Sequence, residues 1–93
     1  MQALVELQVI PLGAGVSVRN EVKQVVAMLN DYDFIVDTHA SGTNIEGELS
    51  EILSAIETIH RTLHEQGSAR LLSYIKLETR IDKVPTLAAK KLD

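Results

Sequence analysis

Two glutamates stand within stretches of strand-forming residues, where a charged side chain is unusual. Glu6 interrupts the aliphatic run from Ala3 to Ile10, and Glu46 lies in a shorter run further along the chain. A carboxylate that is partly withdrawn from water needs a cation or a hydrogen-bond donor as its partner. For both glutamates that partner is either Lys76 or a ligand, and Glu46 could also remain solvated.

The histidines offer weaker chemistry. His39, at the end of a predicted strand, could stack on a heterocycle or respond to pH, or it could simply be exposed. His60 and His64 stand four residues apart in a helical segment, a spacing that can hold a metal ion. The residues between them make no His-Glu-x-x-His motif, and no third ligand is evident. We therefore predict no metal site.

The sequence lacks the residue constellations of common enzymes. It contains no cysteine, no recognisable Ser/His/Asp motif, and no phosphate loop, because the turn that starts at Pro11 lacks the G-x-x-x-x-G-K-[ST] pattern. We predict a protein that is not an enzyme and that carries no cofactor. A less favoured alternative is an enzyme that uses Glu6 or Glu46 as a general base on a small heterocycle.

Composition limits the remaining classes of function. The 93 residues form one domain over residues 1–93, with 45% hydrophobic residues and a net charge of −4. The few basic residues are scattered, so we expect no nucleic-acid binding. No apolar run approaches the roughly 20 residues of a membrane span. The absence of a signal peptide and of cysteine predicts a cytoplasmic location.

Turn residues separate segments with clear hydrophobic periodicity. Alternating or β-rich patterns predict four strands, over Ala3–Ile10, Phe34–His39, Thr43–Gly47 and Arg70–Thr79. Amphipathic patterns predict one helix of about three turns after the N-cap Ser17 and a longer one over Glu48–Gln66. Pro11 is expected to end the first strand, and a short terminal helix is expected over Thr86–Leu92, with Thr86 as its cap.

The order β-α-β-β-α-β predicts an α+β, ferredoxin-like plait, a four-stranded antiparallel sheet with two helices on one face. The opposite face stays open. It should carry polar groups beside large aliphatic and aromatic ones: Leu4, Glu6, Gln8, Ile10, Asp37, His39, Asn44, Glu46, Leu72, Tyr74, Lys76 and Glu78. A mixed face of this kind often meets a ligand or another subunit, so we expect a homo-oligomer.

Three short segments carry a family resemblance. They are Val9-Ile10-Pro11-Leu12-Gly13, Gly42-Thr43-Asn44-Ile45-Glu46-Gly47 and the stretch from Ile75 to Lys83. In order and spacing they are similar to the motifs "P-L/M-G", "G-T-x-x-E-G" and "I-K-[ID]-x-x-R-x-D-K" of the small thiamine-binding proteins of the YkoF-like group. The resemblance covers almost the whole chain. It implies a cytoplasmic dimer or tetramer that binds thiamine, or its hydroxymethylpyrimidine part, without converting it.

The resemblance also implies roles for individual residues. Glu46 would accept from the 4-amino group of the pyrimidine or offset the charge of the thiazolium ring, and Thr43 would hydrogen-bond the ligand or the backbone. Other predicted ligand contacts are Glu6, Ile10, Pro11, Gly42, His39 and Tyr74. We expect the site on the open face, centred near Glu6, Thr43 and Glu46. The alternative is a structural or regulatory oligomerisation module without a small-molecule ligand.

Overall fold

The structure, a computed structural model, describes residues 1–13 and 19–91. The predicted N-cap Ser17 and the last residue of the predicted terminal helix, Leu92, lie outside these residues. In chain order the elements are β1 (Gln2–Leu12), α1 (Arg19–Asn30), β2 (Ile35–His39), β3 (Gly42–Glu48), α2 (Leu49–Glu65), β4 (Arg70–Glu78) and a single 3₁₀ turn (Ala88–Lys90).

The strands form one antiparallel sheet in the order β2-β3-β1-β4. The two helices cover one face, so the predicted ferredoxin-like plait is confirmed. The core lies between this face and the helices because the apolar positions of the strands and helices meet there. Its largest fully buried side chains are Leu7, Leu29, Ile45, Ile52, Ile59 and Leu63.

Close packing explains two glycines of the "G-T-x-x-E-G" segment. A Cβ added at Gly47 would lie 2.5 Å from Cδ1 of Phe34, and one added at Gly42 would lie 2.9 Å from the carbonyl oxygen of Leu7. The Gly42 contact is to backbone, which cannot move aside as a flexible side chain can. The segment therefore matches its family motif partly because the fold requires these glycines.

Two predictions about element ends were wrong. β1 does not stop at Pro11 but continues through it to Leu12, and Pro11 pairs with Leu71 of β4. Among the described residues, β3 pairs with β1 only as far as Leu7, so the last part of β1 is bordered by β4 alone. Proline has no N–H to donate, so it is tolerated in a strand where one side of that strand is not hydrogen-bonded to a neighbouring strand.

The predicted terminal helix is the 3₁₀ turn of Ala88–Lys90 rather than a helix starting at Thr86. The N-cap of this turn is Leu87 rather than the predicted Thr86, although Oγ1 of Thr86 does accept a hydrogen bond of 3.2 Å from the Ala89 amide. Neither helix in the described ranges has the length and apolar character that crossing a bilayer would require.

Candidate functional site

The open face of the sheet is organised in rows that run across the strands. One row places Ile35, Glu46, Leu4 and Glu78 side by side, and the next places Asp37, Asn44, Glu6 and Lys76 side by side. Further along the strands the face carries the pairs Gln8–Tyr74 and Ile10–Leu72. Carboxylates are therefore concentrated in the first two rows, at one half of the face. We call this half the polar half and the half with Tyr74 and Leu72 the apolar half.

Two side chains of the second row, Glu6 and Asn44, are linked through His39 of the neighbouring row. The Oε2 atom of Glu6 lies 3.4 Å from Nε2 of His39, and the same ring nitrogen donates to Oδ1 of Asn44 at 3.1 Å. Nδ1 of His39 accepts from the Ser41 amide at 3.3 Å. Both hydrogen bonds fit the neutral ring with its proton on Nε2.

The partner of Glu6 therefore differs from the predicted Lys76. Lys76 is the direct cross-strand neighbour of Glu6, but the His39 ring, held by two hydrogen bonds, lies within reach on the other side. The Glu6 side chain is 43% exposed, so its carboxylate remains open to a ligand.

The chain crosses the polar half of the open face after β4. Pro85 in this stretch is buried, and Thr86 and Leu87 are half-buried. The Leu87 amide donates to Oε1 of Glu46 at 2.7 Å. Nζ of Lys90 lies 2.6 Å from Oε1 of Glu78. We call residues 85–90 the strap.

The strap covers part of the first row, which was expected to lie open to solvent. Leu4 is only 5% exposed, although it points away from the helices. The half-buried Glu46, for which Lys76, a ligand or water was expected as partner, accepts from the Leu87 amide of the strap. Sequence reasoning missed this contact, which joins two residues 41 positions apart.

An ion pair between Arg80 and Asp82 lies in the segment that joins β4 to the strap. Nε of Arg80 donates to Oδ1 of Asp82 at 2.6 Å, and a second guanidinium nitrogen contacts the other carboxylate oxygen. The hydrogen bond with Asp82 raises the pKa of Arg80, and the same bond lowers the pKa of Asp82. This explains the "R-x-D-K" segment structurally, since two residues of the motif hold each other between β4 and the strap.

Two grooves flank the strap. The larger has a volume of about 490 Å³ and the smaller about 330 Å³. Glu6, Asn44 and Lys76 line the larger groove. Ile35 and Glu46 line the smaller groove. Asp37, Leu87 and Lys91 line both grooves.

A third cavity, of about 200 Å³, lies between α1 and the turn that joins β2 to β3. Thr43 lines this cavity, is 4% exposed, and has its hydroxyl 3.3 Å from that of Thr38. The prediction that Thr43 shares the open face with Glu6 and Glu46 is therefore wrong. Thr43 pairs with the core residue Leu7, and side chains of adjacent residues point to opposite faces of a strand.

The structure distributes the predicted site residues over several places. Ile10, His39, Gly42 and Thr43 line the cavity by α1, whereas Glu6 and Glu46 line different grooves. Pro11 is buried within β1, and Tyr74 is 59% exposed on the apolar half. Asp37 and Asn44, which alternation placed on the open face without naming them as ligand contacts, also line the grooves. Sequence reasoning missed Leu87 of the strap.

The histidines of α2 have structural partners. Nε2 of His60 lies 2.5 Å from the Ser73 hydroxyl of β4, and Nδ1 of His64 donates to the Ser68 carbonyl at 2.7 Å. Burial, and to a smaller extent the neighbouring His64, lowers the pKa of His60. Within residues 1–13 and 19–91, no group of three or more potential ligands has metal-binding geometry.

The sheet order, the one-sided helices and the carboxylate-bearing open face define a ferredoxin-like α+β domain with a grooved sheet surface. The sequence profile of the Thiamine-binding protein family matches residues 5–93. The chain belongs to this family, which relates it to thiamine.

Relatives of similar length agree with this assignment. The UPF0045 protein MJ1052 of Methanocaldococcus jannaschii is 38% identical over 89 residues, which are 96% of this chain and 88% of the relative. The UPF0045 protein sll0230 of Synechocystis is 37% identical over 90 residues, which are 97% of this chain and 74% of the relative.

Solved structures share the fold. The crystal structure of MJ1052 matches with a TM-score of 0.89 at 38% identity, covering 96% of this chain and 91% of that one. TM0486 of Thermotoga maritima, a proposed thiamine biosynthesis/salvage protein, matches with a TM-score of 0.84 at 19% identity, covering 97% of this chain and 95% of that one. At that identity the likeness to TM0486 concerns the fold alone.

Proposed function

We propose that this chain is a non-catalytic, cytoplasmic protein that binds thiamine or its hydroxymethylpyrimidine part on the polar half of the open sheet face. Membership of the thiamine-binding protein family supports the class of ligand. The observation that carries the location is the larger groove, in which Glu6, Asp37 and Asn44 lie beside Leu4 and Leu87. Its volume of about 490 Å³ falls in the range of about 300–1,000 Å³ that is usual for small-molecule sites.

The chemistry of the groove suits an organic cation that also carries hydrogen-bond donors. Carboxylates at Glu6 and Asp37 offset the charge of a thiazolium ring and accept from an amino group. The Asn44 side chain can donate to a ring nitrogen as well as accept. Leu4 and Leu87 provide apolar walls for a flat heterocycle. Aromatic residues make up only 3% of the chain, so aliphatic side chains must do most of the packing.

Among the glutamates, Glu6 is the better ligand in the conformation described here. Its carboxylate is partly exposed, and within residues 1–13 and 19–91 its one close charged partner is the His39 nitrogen. The Glu46 carboxylate already accepts from the Leu87 amide. We therefore assign Glu6 the charge-offsetting role with the strap in place.

Titration calorimetry with thiamine, hydroxymethylpyrimidine and thiamine phosphates tests the proposal. We expect heat of binding with the first two ligands, and Glu6→Gln should weaken binding by about 10-fold to 100-fold, the worth of a hydrogen bond to a charged group. Glu65→Gln, at the exposed end of α2, is the matched control and should leave affinity unchanged. Absence of heat and of any thermal shift at millimolar ligand would refute the proposal.

The apolar half supports a second candidate function, a structural or regulatory oligomerisation module. Leu72 and Tyr74 are 41% and 59% exposed there and lie beside Ile10. Exposed large apolar side chains grouped on one surface often mark a protein contact. We propose a second copy of this chain as the partner, in a dimer or tetramer. The two functions are compatible, because they use different halves of the face.

A further inference from the structure

The strap occupies the surface on which the ligand is proposed to bind. Its Leu87 amide presents a nitrogen-bound hydrogen to the Glu46 carboxylate. The amino group of an aminopyrimidine presents the same kind of donor to the same kind of acceptor. The chain thus satisfies Glu46 internally with a group that resembles part of the proposed ligand.

The shape of the surface around the strap also indicates that the strap lies where the ligand is proposed to bind. The larger and the smaller groove have Asp37, Leu87 and Lys91 in common. They are therefore neighbouring parts of one depression, and Leu87 stands on the division between them. A strap that moved away would join the grooves into one trough with Glu6, Asp37 and Glu46 along its floor.

We propose that residues 85–90 are an intramolecular competitor for Glu46, which leaves when the aminopyrimidine ligand takes its place. This inference rests on the proposed function and adds a regulatory element to the same site. Thiamine first meets Glu6 and Asp37 in the larger groove, and full engagement of Glu46 requires release of the Leu87 amide. The apparent affinity is then lowered by the fraction of molecules in which the strap is closed.

The contacts of the strap are few enough for such an exchange. No residue of its 3₁₀ turn is buried. The Lys90–Glu78 pair has side chains that are 52% and 40% exposed, and exposed ion pairs contribute little to stability. The buried Pro85 holds the beginning of the strap, so movement of residues 86–90 can leave that attachment intact.

The amide hydrogen of Leu87 provides the test of the competitor role, because one substitution can remove it. Leu87 has φ of −64°, the angle that proline imposes, and proline has no amide hydrogen. Leu87→Pro therefore removes the donor to Glu46 while keeping this angle, and Leu87→Ala removes the same side chain while keeping the donor. Calorimetry with thiamine should show that Leu87→Pro binds at least about tenfold more tightly than Leu87→Ala, because a hydrogen bond to a charged group is worth at least that factor.

Amide hydrogen exchange of the wild-type protein provides a second readout that needs no substitution. Saturating thiamine should accelerate exchange at the Leu87 amide. If Leu87→Pro does not fold, Lys90→Met should tighten binding by a smaller factor through loss of the contact with Glu78, with Lys83→Met as the unchanged control.

The outcomes separate this inference from the proposed function. If the wild type binds thiamine while its Leu87 amide stays protected, or if the proline variant binds no better than the alanine variant, the competitor role is refuted and the proposed function stands. If neither the wild type nor any variant binds thiamine or hydroxymethylpyrimidine, the proposed function fails and the competitor role fails with it.

Discussion

The two halves of the open sheet face are built from the same strands but differ in what covers them. The polar half carries Glu6, Asp37 and Glu46 and lies under the strap, which donates to one of these carboxylates. The apolar half carries Leu72 and Tyr74, both exposed. The helix-covered face carries the buried core, but at its β4 edge Ile75 and Leu77, which pair with the core residues Leu7 and Val5, remain 46% and 47% exposed.

The difference is the basis on which we propose two separate tasks for one surface. Charged groups on a sheet need defined partners, and the chain supplies some of them itself through His39 and the strap. Large apolar side chains are stabilised most by burial away from water. Tyr74 is not buried within a single copy of the chain. On these opposite requirements rest our proposals of ligand binding on the polar half and subunit contact on the apolar half.

The largest expected effect is on self-association. Tyr74→Asp places a charge at the centre of the apolar half and should weaken association by about 2 kcal/mol or more, as for a buried tyrosine at a protein interface. Sedimentation velocity over a concentration series measures the change. Leu53→Asp, at an apolar position on α2 that is 50% exposed against 59% for Tyr74, should leave association unchanged. If the variants associate equally, or the wild type is a monomer, the apolar half is not a subunit contact.

The second prediction concerns Gly42, which lies where the two halves meet. Gly42→Ala places a methyl group against the Leu7 carbonyl and should lower the free energy of unfolding by about 1–3 kcal/mol, the usual range for overpacking. Urea denaturation checks this value. The neighbouring Ser41→Ala change is exposed and should shift stability by less than about 0.5 kcal/mol. A tolerated Gly42→Ala would mean that β1 and β3 can separate without loss.

A smaller effect is expected within the strap. Thr86→Ala removes the hydroxyl that accepts from the Ala89 amide, and exchange at that amide should accelerate about fivefold, as expected for a lost hydrogen bond worth roughly 1 kcal/mol. Hydrogen exchange followed by NMR gives the rate, and Thr79→Ala serves as the exposed control. Unchanged exchange at Ala89 would show that the turn does not depend on this hydrogen bond.

The smallest effect concerns His60, on the helix-covered side. Its pKa is lowered in the fold, so the unfolded chain binds more protons as pH falls below about 6.5, and stability then decreases. His60→Gln should remove this part of the pH dependence. Thermal melts at pH 8 and pH 5 should show a smaller difference for the variant than for the wild type. An equal difference in both proteins would assign the effect to other groups.

Much of the fold could be predicted because period-two patterns identify the faces of strands. The rows that contain Glu6, Asn44 and Asp37 follow from alternation and from the antiparallel order. The same rule could have corrected one error, since Thr43 and Glu46 are three residues apart in one strand and must point to opposite faces. Pro11 was misread because the propensity of a residue does not show how many neighbours its strand has.

The strap could not be predicted from local patterns. Its main contact joins a backbone amide to the side chain of Glu46, 41 residues earlier, and any residue other than proline supplies such an amide. The family resemblance drew attention to Glu46 without indicating its partner. The structure adds this partner and leaves Glu6 as the more exposed carboxylate of the candidate site.

The central claim is that thiamine binds on the polar half of the open face. Amide nitrogen–proton correlation spectra recorded during a thiamine titration test it most directly. We expect saturable shifts at Glu6, Asp37 and Asn44 and at Leu87 of the strap, with little change along α2. Shifts confined to the helices or to the apolar half, or no saturable shifts at all, would contradict the claim.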